Sequence, residues 1–377
     1  MNRAGAMRTI VVALGFFFTA AIFPAQWAGR DAAAWERGDL STQLSLARTV
    51  LRQTSGSLKS TDFLTGSDLF SGEWLFGTYL MAGIGFCQIA IEHPETRPEL
   101  LPGIARCVHV LLTPEVRTFD RDAWREDALD TLDGPHGHAA YLGYLNLLLA
   151  LYEQVDPGNE FVPLHNHITS ALYRRMQASP NGLIETYPTE WYPMDNAPVL
   201  ASLALSPRLV DAAAVDALVA RYRQRCIDSR TGLLVQALGP DGVAVDEPRG
   251  SGSALASFFF IHGIPALADD LYAAIRRELA VNAAGFGGIH EYPHGNSGGG
   301  DIDSGPVILG FGASATGFSI GPARFERDSA WFRRLFATAW FAGAPLKNGH
   351  QINFLSAGPL GNAILLAMLT APQKGKP

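Results

Sequence analysis

The chain has 377 residues, 47% of them hydrophobic and 17% charged, with 29 Lys+Arg against 36 Asp+Glu and a formal net charge of −7. That hydrophobic content excludes global disorder, and an acidic balance without a basic run excludes nucleic-acid binding by charge. The 39 glycines and 23 prolines in so apolar a chain point to many turns or many close helix contacts.

Arg3 and Arg8 precede an uncharged apolar run, 10–23 (IVVALGFFFTAAIF). At about 14 residues it is shorter than the ~20 that span a bilayer as a helix. Residues 1–29 are therefore expected to be a cleaved secretory signal, with 30–377 as the exported body, periplasmic or secreted. Gln26 is not the small residue expected three before a cut after Ala28, so an uncleaved N-terminal membrane anchor is the alternative. Cys87, Cys107 and Cys226 form no disulfide framework and no CxxC pair, and Cys87 reads as a buried small residue.

Six apolar stretches rich in Gly, Ala and Ser follow: 72–91, 138–155, 195–205, 250–264, 303–320 and 358–369. Their starts recur about every 55 residues, which marks a repeat architecture. Amphipathic stretches lie between them, at 40–52, 99–112, 161–178, 210–226, 265–279 and 328–341. A helix apolar all round is buried, and one with a charged face is not. The alternation predicts an all-α fold, an (α/α)6 toroid in one domain, with inner helices around an axis and outer helices shielding them. An open solenoid should end in polar capping repeats, yet the last apolar stretch is as hydrophobic as the middle ones.

Before inner helices three, four and five come a glycine, a short strand-like piece (GLIE, GLLV, GGIHE) and a Pro/Gly-rich loop. In a toroid these loops and the positive helix N-termini converge on one funnel. The expected catalytic residues there are Glu185, Asp195, Asp303 and Tyr144, since acid–base chemistry needs titratable groups facing each other across a substrate. Asp195 and Asp303 each precede an inner helix and read equally well as N-caps. Trp124, Asp127, His138, Tyr187, Trp191, Tyr192, His290 and Tyr292 are the expected substrate-binding residues, the aromatic ones offering an apolar face with a polar tip. No metal-ligand spacing and no phosphate-cradling glycine motif appears, so no metal and no cofactor is expected.

The segments 141–153 (YLGYLNLLLALYE), 165–169 (HNHIT) and 181–203 (NGLIETYPTEWYPMDNAPVLASL) resemble the linalool dehydratase-isomerase family, as do, more weakly, 124–127 and 300–307. The resemblance implies a periplasmic (α/α)6 barrel and a cofactor-independent lyase or isomerase. That family works with two cysteines flanking the third loop, where this chain has Glu185 and Asp195, and with a histidine where it has Tyr144. The first expectation is thus a lyase/isomerase with carboxylates in place of thiols, acting on a small-molecule substrate. A glycoside hydrolase or unsaturated-uronyl hydrolase using paired carboxylates is the alternative, and a non-catalytic periplasmic binding protein the third. Homo-oligomer formation is left open.

Overall fold

The computed structural model of the chain describes Met7, Thr19 and residues 22–294, 298–301 and 304–375. Most of the expected signal or anchor therefore lies outside the described residues, as does Asp303. Residues 22–28 are helical, and α1 (Ala32–Arg37) follows a short helical turn.

The amphipathic stretches form the outer helices α2 (Leu40–Ser55), α4 (Arg97–Leu111), α7 (Val162–Ala178), α9 (Ala212–Cys226), α11 (Pro265–Glu278) and α14 (Ser329–Gly343). Three of them start on an aspartate whose carboxylate accepts a first-turn N–H: Asp39 from Thr42, Asp211 from Ala213 and Asp328 from Trp331. The apolar stretches form α3 (Asp68–Glu92), α6 (Tyr144–Val155), α8 (Pro193–Ala204), α10 (Gly250–Phe260), the broken pair α12 (Ala313–Phe318) and α13 (Ile320–Phe325), and α15 (Gly358–Leu369). Between α4 and α6 lies the short α5 (Thr118–Trp124).

The inner helices pack in sequence, α3 on α6, α6 on α8, α8 on α10, α10 on α12, and α12 and α13 on α15. Finally α15 returns to α3, so the ring closes and the fold is an (α/α)6 toroid. Closure buries the apolar sides of first and last repeats against each other, which removes the need for polar caps. It also explains α3, whose 25 residues are long and apolar enough to cross a membrane but mostly buried in the ring.

Glycines matter where inner helices touch. A Cβ on Gly85 would lie 2.7 Å from the Leu366 side chain of α15, and one on Gly143 would lie 2.6 Å from Val199 of α8. Gly317 faces open space, and Gly310 and Gly312 lie outside helices, so the packing device is local rather than general.

The fifth inner helix begins at Ala313 instead of 303. Leu309 and Gly310 take positive φ angles of 53° and 86° and turn the chain between the two-residue strands β3 (Val307–Ile308) and β4 (Phe311–Gly312). Two consecutive left-handed residues make a hairpin turn and stop a helix. Two further hairpins, β1 (Ala280–Ala283) with β2 (Phe286–Ile289) and β5 (Pro345–Asn348) with β6 (Gln351–Phe354), complete the strands among the described residues.

The strand-like pieces GLIE and GLLV are not sheet strands; inner helices hold them instead. Asn196 accepts the Ile184 N–H at 2.8 Å and donates to its carbonyl at 3.0 Å. Ser253 accepts the Leu234 N–H at 3.1 Å, Thr316 that of Ile289 at 3.0 Å, and Asn362 that of Phe354 at 3.0 Å. Four repeats therefore use one device: a polar side chain about one turn into the inner helix satisfies a buried backbone group of the loop above it. This pins the funnel loops over the helix N-termini.

Candidate active site

Tyr144 opens α6 after a π-helical turn, Ala139–Gly143, a distortion that recurs at functional sites. Gly143 lets α6 approach α8 closely, and the Tyr144 hydroxyl donates to Asp195 Oδ1 at 2.6 Å. Asp195 is nearly buried in the first turn of α8, where the helix N-terminus favours a charged carboxylate. It is not an N-cap: the cap position is Tyr192, and it makes no side-chain capping bond. A proline start at Pro193 shifts the helix three residues earlier than the cap reading requires.

Facing this pair is a second one that the sequence reading did not single out. Tyr187 reaches from the third loop to Glu73 on α3 in a short hydrogen bond. Burial, then the negative charge of Glu73, pushes the Tyr187 phenol well above its ordinary value, and Asp195 adds to the effect. The phenol therefore stays protonated and donates. The Tyr144 ring meets Phe76, one turn beyond Glu73, and Phe259 of α10, both edge-on. Two carboxylates from different repeats are thus each bridged by a tyrosine hydroxyl, over an aromatic floor.

Glu185 is used differently from expectation. Its carboxylate accepts the Thr189 N–H at 3.2 Å, closing the turn of its own loop, and its carbonyl accepts the Ala139 N–H at 3.0 Å. Gly137 sits against the same peptide: a Cβ there would lie 2.1 Å from the Glu185 carbonyl oxygen. Gly137→Ala is expected to displace the third loop and destabilise the fold by about 1–3 kcal/mol. Urea unfolding, with Gly158→Ala at an open position as control, checks this.

Trp124, Asp127 and His138, expected as substrate contacts, lie together in a hydrogen-bonded brace. His138 is fully buried, with Nδ1 2.7 Å from Asp120 Oδ2 and Nε2 3.1 Å from Glu126 Oε1. Trp124 packs against the rings of His136 and His138. Asp127 pairs with Arg117 and accepts the Leu129 N–H. Four carbonyls of the adjoining loop, from Thr131, Leu132, Gly134 and Gly137, accept from the Arg175 guanidinium. These acids and imidazoles brace the loop between α5 and α6.

Trp191 and Tyr192 are half-buried on the third loop, Tyr192 donating to Glu190 at 3.1 Å. His290 and Tyr292 belong to the fifth-repeat loop, His290 against Phe311 and Tyr292 beneath the Arg249 guanidinium. Arg249 is paired with Asp246 and Asp301. Between them Glu291 is fully buried; Ser251 at the start of α10 donates to its Oε1 at 2.5 Å, and its Oε2 has no partner. Burial outweighs the Ser251 bonds and pushes its carboxyl up to about 7. The folded state thus holds this proton more tightly than the unfolded chain, a stabilisation complete below about 4.5 and lost as pH rises through about 7. Stability is expected to fall over that window, and Glu291→Gln to flatten the fall in urea midpoints measured across it.

All three cysteines are free and buried, Cys87 on α3, Cys107 on α4 and Cys226 at the end of α9. Burial pushes the Cys107 thiol up to about 12 and the other two upward as well, so none is a ready nucleophile. Among the described residues no cluster of three His, Cys, Asp or Glu is arranged to hold a metal ion.

No protein-family model matches the chain, and no curated protein matches it. Solved structures of similar shape include a GH76 alpha-mannanase of Bacteroides thetaiotaomicron, 12% identical over 86% of this chain and 94% of that one, with a TM-score of 0.48. A polysaccharide lyase is 11% identical over 88% of this chain and 99% of that one, at 0.39. A family 105 glycoside hydrolase of C. acetobutylicum is 11% identical over 78% and 92%, at 0.37.

Proposed function

We propose that the chain is an exported enzyme that cleaves a carbon–oxygen bond of a sugar-like substrate by acid–base chemistry, in the manner of a glycoside or uronyl hydrolase. The supporting observation is the facing arrangement of Tyr144–Asp195 and Tyr187–Glu73 at one end of the ring. Glycoside cleavage needs one carboxyl group to protonate the leaving oxygen and a second carboxylate to act as base or nucleophile. Asp195, at a helix N-terminus, and Glu73, on a neighbouring inner helix, would supply the two carboxyl groups. The half-buried Trp191 and Tyr192 above them offer ring faces and hydrogen-bonding tips suited to a polyhydroxylated ligand.

A second reading, the lyase or isomerase of the resembling family, draws on the Phe76 and Phe259 walls around Tyr144, which suit an alkenyl alcohol. In it Asp195 would take the proton and Tyr144 would orient the hydroxyl; Glu185 is occupied by Thr189. A panel of aryl glycosides, oligosaccharides, unsaturated uronides and monoterpene alcohols separates the two. Turnover of a glycoside or uronide that is lost in Glu73→Gln supports the first reading. Turnover confined to the alcohols supports the second, and ligand binding with no turnover supports a binding protein.

A further inference from the structure

We infer that the N-terminal helical segment is kept in the mature protein and that the face it forms with α14 rests on an anionic lipid bilayer. Residues 22–28 are folded onto the body: Ala25 and Ala28 are buried, and Gly29 lies against Arg333 of α14. A cut after Ala28 would strip this packed segment away. Its outward side carries Ile22, Phe23 and Trp27, of which Phe23 and Trp27 are 62% and 51% exposed. Water-facing aromatic residues on a helix already docked by its other side need a covering that the ring does not provide.

The surroundings indicate which covering. A cavity of about 450 Å³ beside the segment is lined by Ile22, Ala25, Gln26, Asn282, Arg333 and Arg334. Arg333 donates to Gln26 at 2.6 Å. Seven residues beyond Arg334 on the same face of α14, Phe341 is 64% exposed. Arg30 stacks over the exposed Trp27 at 4.2 Å, and Arg30 and Lys347, the latter paired with Asp31, each lie 5.1 Å from the buried Trp340 ring. Aromatic rings with guanidinium and ammonium groups at their edges suit the headgroup level of a membrane, and a two-arginine cavity suits a lipid phosphate.

Charge separates a bilayer from a second copy of the chain. In a two-fold contact the same patch meets itself, which would set Arg333 and Arg334 of each copy against those of the other. An anionic surface attracts the same groups, locally reversing a net charge of −7. The uncharged run 10–21 leads directly into this face.

The test uses the full chain transferred from detergent into vesicles of phosphatidylcholine, with and without one-third phosphatidylglycerol. Expected are flotation with the anionic vesicles, quenching by brominated lipids of emission that Trp27→Phe removes, and at least tenfold weaker anionic binding in Arg333→Ala/Arg334→Ala. Phe23→Ser/Trp27→Ser should abolish flotation with the anionic vesicles while thermal unfolding of the body is retained. Equal binding to both vesicle types, or an exported protein whose intact mass begins at or after Gly29, overturns the inference. So does a change of oligomeric state in Phe23→Ser/Trp27→Ser without lipid, which would make the face a contact between copies.

Discussion

Asp195→Asn is expected to lower kcat on the funnel's substrate by about 100- to 10,000-fold, the range for losing a positioned acid or base. Asparagine keeps an oxygen that can accept the Tyr144 hydroxyl, so the 2.6 Å contact and the start of α8 should survive. The substitution removes the charge and the proton-accepting capacity and little else. KM should change by only a few fold, and thermal unfolding should stay within a degree or two of the parent. Tyr144→Phe is the complementary variant. It leaves a nearly buried carboxylate short of one donor, so activity and stability should both fall, stability by about 1–2 kcal/mol. If Asp195→Asn retains full turnover on a confirmed substrate, both catalytic readings fail and the binding-protein reading gains. If only Tyr144→Phe is inactive, Asp195 is a positioning residue for the phenol.

The ring was legible in the sequence because two helix chemistries alternate along it, and helices that are apolar all round have only one place to go. It failed where periodicity and turn chemistry disagreed. Residues 303–312 are apolar enough for a helix, but Gly305, Leu309 and Gly310 all take positive φ and form a turn. The site was half legible. Tyr144 and Asp195, two of the expected residues, share a hydrogen bond. Glu73 was passed over because it sits inside a helix rather than in a loop, in the second turn of α3. Its signal was present: between Asp68 and Glu92, the ends of that helix, it is the sole charged residue. A lone half-buried carboxylate in a wall of apolar residues calls for a hydrogen-bond partner, and Tyr187 supplies it. At His138 the Asp120–His138–Glu126 hydrogen bonds show that residue types suited to a site also make a good brace. Composition cannot distinguish the two; burial does.

One buried cation braces the closure of the ring, and Arg324→Met is expected to destabilise the protein by about 3–5 kcal/mol. Arg324 ends α13 with no solvent exposure. Its guanidinium donates to the Trp35 carbonyl of α1 at 3.2 Å, to the Ala371 carbonyl just after α15, and to both Glu92 oxygens at the end of α3. It thus ties the segment before the first hairpin, the first inner helix and the last inner helix to the fifth repeat. Burial works against its charge and Glu92 supports it, so the guanidinium exists there only because its donors are matched. Methionine has a similar apolar stem but leaves two carbonyls unmatched and Glu92 with the Gln43 amide at 2.8 Å in place of a cation. Most of the loss comes from the broken Arg324–Glu92 pairing, which a second substitution can isolate. Arg324→Met/Glu92→Met should recover a substantial part of the stability, because a buried pair replaced by apolar residues is often neutral. Urea unfolding of the three variants gives the coupling. Additive losses would mean that the pair is not the clasp, and that apolar contact between α3 and α15 alone closes the ring.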